Sequence, residues 1–213
     1  MQPSANPVRS RRGRPTAARV SAIDRAIVVT ARTMFLAEGY DTVAMEQVAV
    51  LADISKGTLY ARYPSKEALF TAVIEASVKE WSDEAALGDD LLTDVIGQRL
   101  HHHARTIAMS LQRPDVLGIQ RLVLSVRTRF PALARAMHDR GYAYIVGLIA
   151  GDIAAAAVRD GVPVRNPQAV AQMLVGAITG FQIQEDADPA NAPNLEAFAC
   201  NLVEVLLAGR AAW

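Results

Sequence analysis

Apolar positions along this chain recur at spacings of three and four, and few alternate with period two. That is the pattern of helices, not strands. Ile23, Ile27, Ala31, Met34 and Phe35 form one stripe. They predict a first helix from Ser21, a good N-cap, to Glu38, with Gly39 just past its end. Met45, Val48, Ala49 and Ala52 predict a short second helix over 45–52, followed by a tight turn at Asp53-Ile54. Ser55 then caps a third short helix, and Ser65 starts a fourth that reaches about Trp81. Further helices are expected over 91–112, 115–129, 131–139, 141–160, 166–183 and 194–208. Breaks fall at Pro114, Pro131, Gly141, Gly161-Val162-Pro163, Asn166-Pro167 and the polar stretch Glu185 to Asn194. Asn166-Pro167 reads as an N-cap with proline at the first helical position. The expected fold class is all-α, with no internal repeat.

The third helix is oddly dressed. Ser55-Lys56-Gly57-Thr58-Leu59-Tyr60-Ala61-Arg62-Tyr63-Pro64-Ser65-Lys66-Glu67 crowds hydroxyls and cations around one leucine, with a glycine in the first turn. Two short helices joined by a three- to four-residue turn make a helix-turn-helix, whose second helix enters a DNA major groove. Gly57 lets the backbone come close to DNA. Lys56 and Thr58 occupy the first turn, where base edges and phosphates are in reach. Lys56, Tyr60 and Tyr63, spaced by four and three, are expected on one face as phosphate contacts. Leu59 and Ile54 should face inward. Lys66 adds a charge at the start of the fourth helix, where backbone N–H groups also favour an anion.

Charge supports this placement. The net charge of the 213 residues is zero, but residues 1–32 hold seven arginines against one acid, and Lys56, Lys66 and Lys79 all lie in the first 80 residues. Arg9, Arg11, Arg12 and Arg14 cluster around Gly13-Pro15. Residues 1–20 have the composition of a disordered basic arm that enters a minor groove or follows phosphates; a solvated tail is the plainer alternative. With 51% hydrophobic residues, one unpaired cysteine (Cys200), no apolar run of span length and no signal-type segment, a cytoplasmic location with no membrane association is expected.

Phe35, Gly39-Tyr40, Val48-Ala49 and the run Ala52 to Leu69 resemble the N-terminal domain of TetR-family transcriptional regulators. More weakly, Arg121-Leu122, Arg129-Phe130-Pro131 with Leu133 and Ala134, and Asn166-Pro167 resemble the C-terminal domain of the AefR-like subgroup. The resemblance implies a basic arm (1–20), a three-helix helix-turn-helix DNA-binding domain (21–65) and a helical effector-binding and dimerisation domain (66–213). It further implies a homodimer on a palindromic operator in double-stranded DNA, most often a repressor released by a small-molecule effector, with the fourth helix as lever. An activator, or a helical binding protein that has lost DNA recognition, is the alternative. Two positions depart from the family pattern. Ala44 stands where a hydroxyl usually caps the second helix, at a typical cost of ~1 kcal/mol; Thr42 is a possible substitute cap. Asp53 stands where glycine is usual, and aspartate is among the better substitutes if that residue has positive φ.

Other features carry less. His101-His102-His103 cannot easily share one ion, because consecutive helical residues point about 100° apart. His102, Met109, Arg121, Met137, Tyr142, Met173 and Phe181 are candidate effector-contacting residues, with ordinary core packing or surface exposure as the alternative. Two strongly apolar helices near the C-terminus read by themselves as ordinary core; the family resemblance implies instead a dimer interface there, through Met173, Ala177, Phe198, Leu202 and Val205. No nucleophile–base set, phosphate loop or paired-histidine motif is present, so neither an enzyme nor a cofactor or metal is expected.

Overall fold

A computed structural model describes residues 17–86, 93–187 and 194–213. The chain order is α1 (Ala17–Glu38), α2 (Met45–Leu51), α3 (Lys56–Arg62), α4 (Lys66–Ala86), α5 (Ile96–Leu111), α6 (Pro114–Val126), α7 (Pro131–Met137), a π-helical turn (His138–Ala143), α8 (Tyr144–Asp160), α9 (Pro167–Ala187) and α10 (Leu195–Ala208). A single 3₁₀ turn (Arg210–Ala212) follows. No strand occurs among the described residues.

Several boundaries differ from expectation. Helix α1 begins at Ala17, so Ser21 lies inside it and caps nothing. Helix α4 continues to Ala86, because no glycine or proline intervenes between Trp81 and Ala86 to stop it. Helix α5 starts at Ile96, later than the expected 91, and α9 runs on to Ala187. The expected break at Gly141 is absent: α7 passes through the π-helical turn directly into α8. One wider turn absorbs the glycine without ending the helix. Elsewhere the punctuation holds. Gly39 (φ 81°) and Gly161 (φ 67°) take the left-handed conformation that ends α1 and α8. The Asn166 side chain accepts from the Ala169 N–H at 3.0 Å, ahead of Pro167.

Two apolar cores result. One gathers Ile27, Phe35, Val48, Leu59, Leu69, Phe70 and Ile74 from α1–α4 together with Ile119, Val123 and Leu133 from α6 and α7. The other is built from α5, α8, α9 and α10 around Leu100, Ile149, Ile153, Leu174, Ile178 and Val203. Helices α6 and α7 therefore sit in the core of the N-terminal helices, although they lie far beyond residue 65 in sequence.

Polar contacts tie the two parts at the same seam. The Trp81 indole N–H donates to Asp115 at 3.2 Å. Arg113 forks onto Asp115 through Nε (3.1 Å) and Nη2 (3.0 Å), and also pairs with Glu84. The Arg113 hydrogen bonds hold the Asp115 carboxyl below its usual range, against the opposing effect of burial. Arg140 of the π-helical turn pairs with Glu75 of α4, while Arg32 of α1 meets Glu80 of α4 at 2.6 Å within the N-terminal helices. A Cβ added to Gly118 of α6 would lie 2.5 Å from Leu36 Cδ2 of α1.

The stretch Pro131–Asp160 reaches a mean hydropathy of 1.6 over 18 residues, enough in length and composition for a membrane span, with 28% of that window buried. Its inner face (Val146, Ile149, Ile153, Ala156) is bundle core, and its outer face carries the small residues Gly147, Gly151, Ala154 and Ala155. The buried aliphatic stripe contributes to that hydropathy along with the exposed alanines and Val158.

Candidate nucleic-acid interface

Helix α3 is seven residues long and could not stand alone in water. Three features hold it. The Ser55 hydroxyl accepts from the Thr58 N–H at 3.1 Å and lies 2.8 Å from the Thr58 hydroxyl, so the first turn is capped. Leu59 is fully buried in the N-terminal core, and Ile54 packs against the same core. Asp53 takes φ 52°, the left-handed turn between α2 and α3 that aspartate tolerates better than most residues. Both inward positions thus fall where the sequence placed them.

The outward face carries Ser55, Lys56, Gly57 and Tyr60, all exposed, with Thr58 half-buried. Gly57 has negative φ and an open surrounding: an added Cβ would meet only Ser55 Oγ, at 3.9 Å. Nothing in the chain requires glycine there, and it costs the helix ~1 kcal/mol relative to alanine. Tyr63 does not share the open face. It caps the end of α3, is half-buried against the N-terminal core, and burial raises its hydroxyl pKa.

Lys66 turns inward. Its ammonium donates to the Asp41 carbonyl at 2.9 Å and the Val43 carbonyl at 2.8 Å, and lies 4.8 Å from the centre of the Tyr40 ring. Arg129, from the α6–α7 corner, lies 5.0 Å from the same ring and meets Asp41 at 2.6 Å. Tyr40 itself packs against Phe35, Phe70 and Phe130, and burial raises its hydroxyl pKa. The α1–α2 loop is therefore clamped by one cation from α4 and another from the α6–α7 corner.

Ala44 starts α2 with no side-chain cap. Thr42 does not substitute, since the helix begins only at Met45. Instead the Gln47 side chain reaches back to accept from the Ala44 N–H at 3.4 Å, half of a capping box. Glu46, in the same first turn, was not expected at this surface. Its carboxylate takes the Lys56 ammonium at 2.6 Å and the Tyr60 hydroxyl at 3.3 Å. It lies ten positions before Lys56 on another helix, so only the folded turn brings them together. Arg11, Arg12 and Arg14 lie outside the described residues.

The candidate effector residues do not converge on one place. Met109, Met173 and Arg121 are exposed. Met137 packs on the N-terminal core, while Tyr142 packs on the C-terminal one and stacks on His138 at 5.2 Å. Phe181 stacks on Phe198 at 3.9 Å. His102 is half-buried. Its neighbour His103 is the buried one, 2.7 Å from Asp152, which Arg99 meets at 2.8 Å. Burial alone would raise the Asp152 pKa; the hydrogen bonds from Arg99 and His103 lower it overall. No cluster of three metal-ligating side chains occurs among the described residues.

A capped short helix after a left-handed turn, backed by one buried leucine and faced with hydroxyls, cations and an unneeded glycine, defines a DNA-binding protein of the helix-turn-helix class. Residues 27–73 match the bacterial regulatory proteins of the tetR family, and residues 98–185 match the C-terminal domain of AefR-like transcriptional repressors. The chain belongs to the TetR family of transcriptional regulators. It is 31% identical over 115 residues to the DNA-binding transcriptional repressor TetR of Mycobacteroides abscessus, covering 54% of this chain and 52% of that protein. It is 40% identical over 62 residues to the regulator RutR of Escherichia coli, 29% of each chain. The chain thus spans about half the length of the first relative and under a third of the second. A solved TetR-family regulator from Mesorhizobium loti superposes with a TM-score of 0.76 at 26% identity, over 92% of this chain and 98% of that one. The flavonoid-responsive regulator FrrA shares the fold, with a TM-score of 0.73 at 22% identity over 90% and 96% of the two chains.

Proposed function

We propose that this protein is a ligand-responsive repressor that binds a palindromic operator as a homodimer. The exposed face of α3 carries that reading. Ser55, Lys56, Gly57, Thr58 and Tyr60 form the groove-facing surface, with Tyr63 and Lys66 at its edge. Arg11, Arg12 and Arg14 supply sequence-independent attraction to phosphates. Lys66 commits two of its three donors to the α1–α2 loop, which leaves one for a phosphate.

The dimer forms through the outer faces of α9 and α10. Met173, Ile183 and Val205 are 53%, 63% and 69% exposed, with Ala177, Phe198 and Leu202 half-buried beside them. The described outward side chains of α9 carry no charge, and Glu196 and Glu204 of α10 turn to Arg105 and His101 of α5. An uncharged patch of this kind is what a two-fold seam buries. The effector binds in the C-terminal part and shifts the population toward a spacing of the two readers that fits DNA poorly. The seam with Trp81, Asp115 and Arg129 transmits the change. The relative FrrA, described as flavonoid-responsive, makes a planar polyphenol a sensible first effector to try.

The test is fluorescence anisotropy on a duplex that the protein selects from a randomised library. Wild type should bind in a steeply salt-dependent way, and Tyr60→Phe should bind more weakly with an unchanged salt slope. Wild-type protein that selects no duplex would overturn the reading.

A further inference from the structure

An acid sits at the centre of a surface meant for a polyanion. Glu46 projects from α2 onto the α3 face, half exposed, and takes the two side chains best placed for DNA, Lys56 at 2.6 Å and Tyr60 at 3.3 Å. The Lys56 ammonium also lies 5.7 Å from the Tyr60 ring centre, so the three form one closed cluster. A surface ion pair of this kind adds little to stability. Its consequence is electrostatic: a phosphate that takes Lys56 leaves a carboxylate facing the DNA backbone.

We propose that Glu46 is a specificity-determining residue that penalises non-operator DNA and is satisfied only where a base edge presents an amino group, by preference cytosine N4. The proposal rests on the DNA-binding reading above. Carboxylates accept from cytosine N4 in the major groove, whereas phosphates offer them no donor. On operator DNA the cytosine replaces Lys56 and Tyr60 at the carboxylate, and both are released to the backbone. On other sequences either the cluster stays closed and two contacts are lost, or it opens and the carboxylate is left against phosphate.

Glu46→Gln keeps the shape and removes the charge. Anisotropy against salt would compare wild type and this variant on the library-selected duplex and on a scrambled duplex of the same length and composition. Glu46→Gln should bind the scrambled duplex on the order of tenfold tighter, with little gain on the selected one, so that the specificity ratio falls by about the same factor. The salt slope on scrambled DNA should steepen by about one as Lys56 becomes available. Repeating the selection with the variant should relax one cytosine position per half-site. Equal changes on both duplexes, or weaker binding to both with an unchanged unfolding midpoint, would overturn the proposal and leave Glu46 as a prop for Lys56. Wild type that selects no duplex would instead remove the DNA-binding reading, and this proposal with it.

Discussion

Replacing Lys66 by methionine removes the ammonium while keeping most of the stem. Two backbone carbonyls then lose their donor, Asp41 O at an exposed site and Val43 O at a part-buried one. Water can take over at Asp41, so that loss is about 0.5 kcal/mol, whereas the part-buried bond from a charged donor is worth about 1.5–2 kcal/mol. Loss of the cation over the Tyr40 ring adds roughly 0.5 kcal/mol. The expected destabilisation is therefore about 2.5–3 kcal/mol, which for a chain of this size lowers Tm by about 5–12 °C. Differential scanning calorimetry on the full chain measures it, with Lys66→Arg expected in between because it retains the charge but not the compact three-donor geometry. DNA affinity should fall with it, since the loop that Lys66 holds leads directly into α2. A Tm within a degree of wild type would refute the reasoning and leave Lys66 as a phosphate contact alone.

Three further outcomes are expected. Gly118→Val should destabilise by about 1–3 kcal/mol in urea unfolding, because the new side chain must displace Leu36 at the packed α1–α6 contact; an unchanged midpoint would show that this contact is loose. The Asp115 pKa is depressed in the fold, so its contribution is complete above the unfolded value near 4 and is lost as pH falls through the folded value. Asp115→Asn should thus narrow its stability gap to wild type on acidification, as read by chemical unfolding at several pH values. Val205→Arg places a charge on the proposed seam and should yield a folded monomer by light scattering, whereas a persistent dimer would move the interface elsewhere.

Local periodicity made most helices legible, because α1–α4 each bury a stripe set by their own residues. The turn was legible too: Asp53 in place of glycine is informative only at a position that needs positive φ, and the structure has it there. Ser21 misled because a good N-cap residue is equally at home inside a helix when nothing upstream stops it. Gly141 misled because a continuous helix can absorb a glycine by widening one turn. The ion pairs around the reader were beyond reach. Glu46 with Lys56, Arg129 with Asp41 and Arg113 with Glu84 join residues from separate helices and loops, and no spacing rule predicts them. The candidate effector residues failed to gather for the same reason. Methionine and aromatic side chains at helical spacing mark a helix face without saying whether it looks inward, outward or at a neighbour.

The chain contains two tryptophans, and the fold separates their duties. Trp213 is buried at the end of the chain, with its indole N–H on the Leu206 carbonyl at 2.9 Å. Trp81 sits at the seam, its indole bonded to Asp115 across from α4 to α6. Movement of α4 against α6 would break that bond and wet the ring, whereas Trp213 sits in the C-terminal core. The unlabelled protein therefore carries an optical reporter at the contact between α4 and α6. A red shift in its emission during titration with a small molecule would reveal an effector before any operator sequence is known.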